Sequence, residues 1–374
     1  MSIEVRRFRD SDVPAIVGLN ARLAAARLPH DVGREERTGE PTLQTQPIVE
    51  RLYVAAQGDE VRGGVWLKEQ MFWSHAGSIR AGWAKYPVSE SLIDGSAAGV
   101  PASLLFGLLR QQPNLMALGM GGHCGPFARL LSAMRWTISP VPFFVRLLRP
   151  ARVLRQISYV RRTRLRRLSA DALAWSGLAS ATTRALSALR AVTAPDPAGE
   201  CVISAVPRFG EWVDDLWERC RGSYGFVAVR DSHALNALYP ERFNRLTRLR
   251  VQREGGDIGW ICPRSIDAAG TWFEKDFGSL KLGIITDAFA RPDDAAAVMA
   301  AGSRYLREDG VDLMVTFQFH PAWCAAARTA GFFTAPSNCV FARSASIEQL
   351  IQTGAAANRH VHLTYSDGDG PETV

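Results

Sequence analysis

Lysine is nearly missing from this chain of 374 residues: of 44 basic side chains, only Lys68, Lys85, Lys275 and Lys281 are not arginine. Against 37 acidic residues the net charge is +7. Arginine use this heavy most often follows from a GC-rich genome, so the excess by itself names no partner. Paired cysteines are lacking too. Cys124, Cys201, Cys220, Cys262, Cys324 and Cys339 contain no C-x-x-C pair, which argues against a zinc ribbon or redox dithiol and for thiols kept reduced in the cytosol. No secretory leader is read at Met1 to Asp12, which is charged and patterned. Long hydrophobic runs are scarce: the uncharged stretch Ala172 to Thr183 is too short to cross a bilayer. The expectation is a cytoplasmic chain with no metal site.

What is present is apolar residue enough for two cores, 47% of the chain with 22% charged, and a pattern that occurs twice. The first copy places a helix with Pro101 at its start over Gly99 to Leu105, an apolar strand at Asn114 to Gly119, and a helix from Pro126 towards Trp136. The second places a strand at Lys281 to Thr286, a helix at Ala295 to Leu306, a strand at Val311 to Phe319, and a helix from Pro321 towards Gly331-Phe332. A pattern that outlives sequence identity implies a duplicated domain, hence two lobes with a site in or between them.

Ahead of the first copy, Ile3 to Phe8 alternates as a strand. Ser11 or Asp12 then caps a helix with Val13, Ile16, Val17, Leu19 and Leu23 on one face. Arg51 to Ala56 and Gly63 to Gln70 read as antiparallel strands about the turn Gln57-Gly58-Asp59-Glu60, and Ser78 to Val88 as the next strand.

This order, opened by Val5-Arg6-Arg7-Phe8-Arg9-Asp10-Ser11-Asp12, resembles the GNAT N-acetyltransferase superfamily. His320 to Phe332 is similar to that family's fourth helix, which usually ends in Gly-Phe. The ending His362-Leu363-Thr364-Tyr365-Ser366-Asp367-Gly368-Asp369-Gly370 resembles the tail of tandem GNAT proteins and Fem-type peptidyl transferases, including members associated with bacterial polysaccharide production. The resemblance implies an α/β (α+β) fold of two GNAT-like lobes, each a mixed, twisted sheet flanked by helices. The N-terminal lobe spans 1–148, an arginine-rich helical bridge and linker 149–199, and the C-terminal lobe 200–374. It also implies acetyl-CoA or another acyl-CoA as donor, and acyl transfer to an amine or hydroxyl of a saccharide or lipid-linked cell-envelope precursor. Two alternatives stand beside this: Fem-like transfer of an amino acid from aminoacyl-tRNA, and a non-catalytic, membrane-associated scaffold.

The family's coenzyme signature, Arg/Gln-x-x-Gly-x-Gly/Ala, brings small residues to a helix start, where backbone N–H groups approach a pyrophosphate. Neither copy holds it intact. Asp94-Gly95-Ser96-Ala97-Ala98-Gly99-Val100-Pro101 has the small residues without the basic lead, and Arg291-Pro292-Asp293-Asp294-Ala295-Ala296 puts Asp294 in the glycine's place, where it repels phosphate. The first lobe is therefore the expected coenzyme site. Gly95, Ala98, Gly99 and Val100 would form the cradle, and Leu118 and Gly119 lie on the strand that, in this family, splays to admit the pantetheine arm. Acyl transfer needs a base, an acid for the leaving thiolate, and donors for the oxyanion. Glu69 and Glu90 are candidate catalytic carboxylates in the first lobe, with His123 in Gly119-Met120-Gly121-Gly122-His123. Asp287 and His320 are the candidates in the second, where His320 also reads as a plain cap on its helix. Arg230, Tyr239 and Arg242 are candidate acceptor contacts, and Asp231 reads as a loop anchor or helix cap.

From Arg146 to Arg167 run nine arginines with no acid among them. Interleaved apolar residues give a helix from Ala151 onward one apolar and one cationic side. Three partners suit 146–168: an anionic membrane surface, which would place the protein peripherally on the inner face; an acidic acyl carrier protein; and tRNA phosphates. An inter-lobe helix whose arginines merely face water suits it equally.

Overall fold

The structure, a computed structural model, describes residues 3–28, 31–33, 46–158, 197–243, 245–271, 273–353, 360–368 and 370. Its first half contains β1 (Glu4–Arg7), α1 (Val13–Ala25), β2 (Ile48–Gln57), β3 (Glu60–Ser74), β4 (Gly77–Ser89), α2 (Val100–Gln111), β5 (Leu115–Met120), α3 (Pro126–Ala133), β6 (Thr137–Pro140), β7 (Phe143–Leu147) and α4 (Pro150–Gln156). The second half opens with β8 (Cys201–Val206), α5 (Trp212–Cys220), β9 (Phe226–Ala228), α6 (Ser232–Leu238), β10 (Arg248–Arg253), β11 (Gly256–Asp267) and α7 (Glu274–Phe277). It closes with β12 (Lys281–Ala290), α8 (Ala295–Glu308), β13 (Leu313–Phe317), α9 (Pro321–Thr329), β14 (Phe333–Ala335), β15 (Cys339–Arg343), α10 (Ala345–Gln352) and β16 (Val361–His362).

Two mixed sheets result. The first runs β1-β2-β3-β4-β5-β15-β6, with β9 beside β3 and β16 beside β9; the second runs β14-β7-β13-β12-β11-β10-β8. The mixed α/β architecture expected from the sequence is present, and the repeat is real at the level of elements: β4-α2-β5-α3-β6 is matched by β12-α8-β13-α9-β14. The halves also exchange strands: the first lends β7, and the second lends β9, β15 and β16. β7 lies between β13 and β14, and β15 lies between β5 and β6. Phe144, on β7, is fully buried in the core of the second sheet. Without the exchange both sheets would be split and left with raw edges.

The outer face of the first sheet is covered by α2, whose Val100, Leu104, Leu105 and Leu108 meet Val65, Leu67, Ala84 and Leu115. Gly107 is required where α2 crosses β1, because a Cβ there would stand 2.3 Å from Val5 Cγ1. On the opposite face Phe72, Trp83, Met116 and Phe341 pack against Phe226, Val361 and Leu363. Each such side chain contributes about 1.5–3 kcal/mol on full burial, so this shared core fixes the two lobes to one another.

Part of the arginine-rich stretch is described. Arg149 and Arg152 both reach the fully buried carboxylate of Asp312, at 3.0 and 3.3 Å, and Arg152 also donates to Ser279 O at 2.9 Å. These two arginines dock α4 onto the second lobe. Residues 159–196 of the expected bridge lie outside the described residues. Among the described residues no helix is long and apolar enough to cross a membrane, and no cluster of His, Cys, Asp and Glu could hold a metal ion.

Candidate active site

β4 and β5 run parallel but pair only at Gly82–Leu115 and Trp83–Met116. Beyond those pairs the ladder stops and a gap opens. β4 bulges there: Gly64 faces Val88 while Trp66 faces Lys85, so Tyr86 and Pro87 together oppose Val65. Tyr86 sits at φ 46°, a left-handed conformation a tyrosine adopts only where its surroundings hold it, and Pro87 has no N–H to give a ladder. The other edge of β5 is occupied by β15. Half-buried Leu118 and Gly119 border the gap, and a Cβ on Gly119 would meet nothing within 4 Å.

The chain leaves β4 through two short turns, Glu90–Leu92 and Gly95–Ala97, and enters α2 at Gly99. Gly95, Ala98 and Gly99 are exposed and Val100 is buried. The first α-helical bond runs from Ser103 N–H to Gly99 O, 3.0 Å. Ser96, Ala97 and Ala98 N–H are held within the turn by Asp94 and Gly95, so Ala98 is no cradle donor. The N–H groups left to the helix start are those around Val100 and Ala102, Pro101 supplying none. Asp94 would oppose an anion here, its carboxyl held below the usual range by the Ser96 hydroxyl and N–H. Arg62, on β3, donates to Asp94 at 2.8 Å and to Ser96 Oγ at 3.1 Å. Arg62 thus stands at this loop with its charge met by Asp94 and Glu90.

The other first-lobe candidates lie apart. Glu90, buried beneath this loop, is paired with Arg22 and with Arg62 Nη1 at 3.0 Å. Glu69 is buried at the closed end of the gap, opposite Gly82 in the β3–β4 ladder, and is held by Arg51, by Arg80 at 3.2 Å and by Gln112 at 3.0 Å. His123 is exposed on the turn after β5, which Gly121 and Gly122 fix by donating to Asn338 O at 2.8 and 2.6 Å.

The second lobe repeats the gap and fills it. β12 and β13 pair from Leu282–Leu313 to Ile285–Thr316 and then part, with Thr286 as the extra residue of a bulge, since Cys262 faces Asp287 and Pro263 faces Ile285. The chain's ending occupies the opening. Thr364 bridges to Gln318, Phe319 N–H donates to Leu363 O at 3.3 Å, Ser366 Oγ to Thr286 O at 3.2 Å, and His362 Nε2 to Ala288 O at 2.9 Å. Asp287 accepts from Arg230 at 3.1 Å, Tyr239 at 2.7 Å and Thr364 at 2.9 Å. Arg230 also reaches both oxygens of Asp367, at 3.0 and 2.9 Å. None of these five side chains is more than 1% exposed. Burial pushes the Asp287 carboxyl up to about 6 against the pull of Arg230. At the mouth of this gap Asp294 pairs with Arg253 at 3.0 Å, and Asp231 caps α6 by accepting from Ala234 N–H.

His320 caps α9: its Nδ1 accepts from Ala322 N–H at 3.1 Å, and its ring stands edge-on to Tyr224 and His360. Burial pulls its pKa down from 6.5 to about 4. Protonation would turn Nδ1 from acceptor to donor and end the cap. The stability contributed by the neutral ring is therefore complete above pH 6.5 and fades as pH falls towards about 4. His320→Asn keeps a capping oxygen and removes the titration. Urea unfolding of this variant should lose less stability than the parent between pH 6.5 and 4; parallel profiles would contradict the assignment.

Beside Lys85, between the first sheet and the α6–β10 connection, lies a cleft of about 500 Å³. Glu50, Lys68 and Lys85 form its floor, and Asn236, Arg242 and Phe243 face them from the second lobe. Lys85 donates to Glu50 at 2.8 Å. Lys68, buried, donates to the carbonyl oxygens of Ser366, Asp367 and Gly368 at 3.4, 3.0 and 3.4 Å. Gly368 in turn lies so close to Leu118 that a Cβ would come within 2.7 Å of Leu118 Cβ. The tail that plugs the second gap is thus a wall of the first. The sequence does not single out Glu50, Lys68 and Lys85, although two of only four lysines on the neighbouring strands β3 and β4 are a usable signal.

No protein-family model matches the chain, and no curated protein matches it in sequence. Solved structures do. A conserved Enterococcus faecalis V583 protein, called a "Probable N-Acyltransferase", matches 94% of this chain and 74% of its own at TM-score 0.50 and 10% identity. A GCN5-related N-acetyltransferase from Anabaena variabilis ATCC 29413 matches 92% of this chain and 73% of its own at TM-score 0.50 and 8% identity. A tandem GNAT protein from the clavulanic acid biosynthesis pathway matches 91% of this chain and 98% of its own at TM-score 0.46 and 12% identity. At these identities the likeness speaks to architecture alone: the chain has the fold of the GNAT N-acetyltransferases, two lobes in one molecule.

Proposed function

We propose that the protein is an acyltransferase that takes acetyl-CoA or another acyl-CoA in the β4–β5 gap of the first lobe and acylates an amine or hydroxyl presented from the inter-lobe cleft. The reading is carried by the inequality of the two gaps. One is open, with small exposed residues at its mouth; the other is filled by residues 362–366. The donor supplies the activated thioester. Val100 and Ala102 N–H, at the start of α2, suit its pyrophosphate, and the unpaired edges of β4 and β5 suit its amide-bearing arm. Backbone N–H groups at the parted end of β4 are the natural donors to a carbonyl oxygen gaining charge, and Lys85, one residue before the bulge, sets the acceptor beside them. As acceptor we retain a saccharide or cell-envelope precursor, supported by the resemblance of 362–370 to tandem GNAT tails.

Calorimetric titration with acetyl-CoA tests this. One site per chain is expected, and Gly99→Asp, which sets a carboxylate at the cradle, should weaken it at least about tenfold, the effect of one charge-assisted contact reversed. Absence of heat from the parent chain, checked by a second binding assay, would remove the proposal.

A further inference from the structure

We infer that the acceptor carries an acid group, a carboxylate or phosphate, held in the inter-lobe cleft by Lys85 and Arg242; this rests on the cleft being the acceptor side of the proposed site. Among the described residues lining the cleft are three cations, Lys68, Lys85 and Arg242, and one anion, Glu50. Lys85 and Glu50 offset one another at 2.8 Å. Lys68 donates to the carbonyls of Ser366, Asp367 and Gly368 and stands opposite Glu50 in the β2–β3 ladder, so a single anion serves both lysines. Arg242 is exposed at the rim, stacked 5.6 Å from the Phe243 ring centroid, with its fork able to engage a planar or tetrahedral acid. Three cations against one anion make the lining net positive, and low-dielectric walls strengthen its field.

Position and size agree with that charge. Lys85 is 6% exposed and precedes the bulge residue Tyr86, so an acid anchored there places the rest of the molecule beside the gap. Of the three N–H donors on an ammonium, Glu50 takes one. A volume of about 500 Å³ suits a small molecule rather than a polymer chain. Phosphate and carboxylate share this recognition chemistry.

The full chain is titrated calorimetrically at fixed ionic strength with glucose 6-phosphate, succinate and uncharged glucose, with and without saturating CoA to cover the start of α2. At least one acidic probe should bind while glucose does not, and whichever binds tighter names the acid group. Arg242→Ala and Lys85→Gln should each weaken it by about tenfold, as loss of a hydrogen bond to a charged group does. Arg242 is exposed, so its variant keeps the fold, checked by thermal melting, even should Lys85→Gln unfold. Failure of both acidic probes, equal binding of glucose, or binding untouched in Arg242→Ala overturns the inference. Acetyl-CoA binding without acid-probe binding removes only this inference. Acid-probe binding that needs Arg242, with no acetyl-CoA binding, upholds the anion site and removes the donor reading.

Discussion

Replacing Arg230 with leucine is expected to lower folding stability by about 3–5 kcal/mol, the usual consequence of stranding buried charge. Arg230 lies between Asp287 and Asp367, and all three are at most 1% exposed. Without the guanidinium the two carboxylates share one dry site and cannot both stay ionised. The Asp287 pKa then rises further above its unfolded value. Since Asp287 is already raised to about 6 from 3.8, it favours folding most below pH 3.8 and loses that contribution as pH rises through about 6. In the variant the loss extends to higher pH, so the deficit against the parent is larger at pH 8 than at pH 5. Replacing Arg230, Asp287 and Asp367 together by Met, Leu and Leu should recover much of the stability, because a buried ionic cluster mainly costs desolvation. Urea denaturation of the single and triple variants checks this, and a single variant within about 1 kcal/mol of the parent would mean the cluster is not the anchor of the tail.

The largest expected effect on function comes from Gly119→Trp. A side chain there enters open space beside the gap, so the fold should keep its melting temperature while acetyl-CoA binding falls at least about a hundredfold, the roughly 3 kcal/mol that forced overlap costs. Asp294→Gly restores the glycine of the second lobe's signature, yet should leave affinity and stoichiometry unchanged, because residues 362–366 already fill that gap. Calorimetry on both variants decides. Undiminished binding in Gly119→Trp, or a second site in Asp294→Gly, would place the coenzyme elsewhere.

Much of the fold was legible because its signals are local. Alternation marks β1, the helical period marks α1, Gln57 to Glu60 marks the β2–β3 turn, and Pro101, Pro126 and Pro321 each stand in the first turn of a helix. The strand exchange was not legible. Phe143 to Leu147 reads as a strand in any context, and nothing local says that its partners are β13 and β14 rather than β5 and β6. Contacts around the candidate site are hidden in the same way. Glu69 and Glu90 look like spare carboxylates until register brings Arg51, Arg80, Arg22 and Arg62 to them. Glu50 and Lys68 become neighbours only once β2 and β3 are paired in one register. Arg62 reaches the loop before α2 from another strand, and the tail acts through a shape that no periodicity encodes. The capping reading of His320 could be made because a cap is a contact within three residues.

Hydrogen–deuterium exchange of the full chain with and without acetyl-CoA tests the central claim most directly. The account predicts added protection at 86–89, 95–102 and 117–120, with no change at 286–290 or 314–318. Protection confined to the second set, or absent from both at saturating acetyl-CoA, would contradict it.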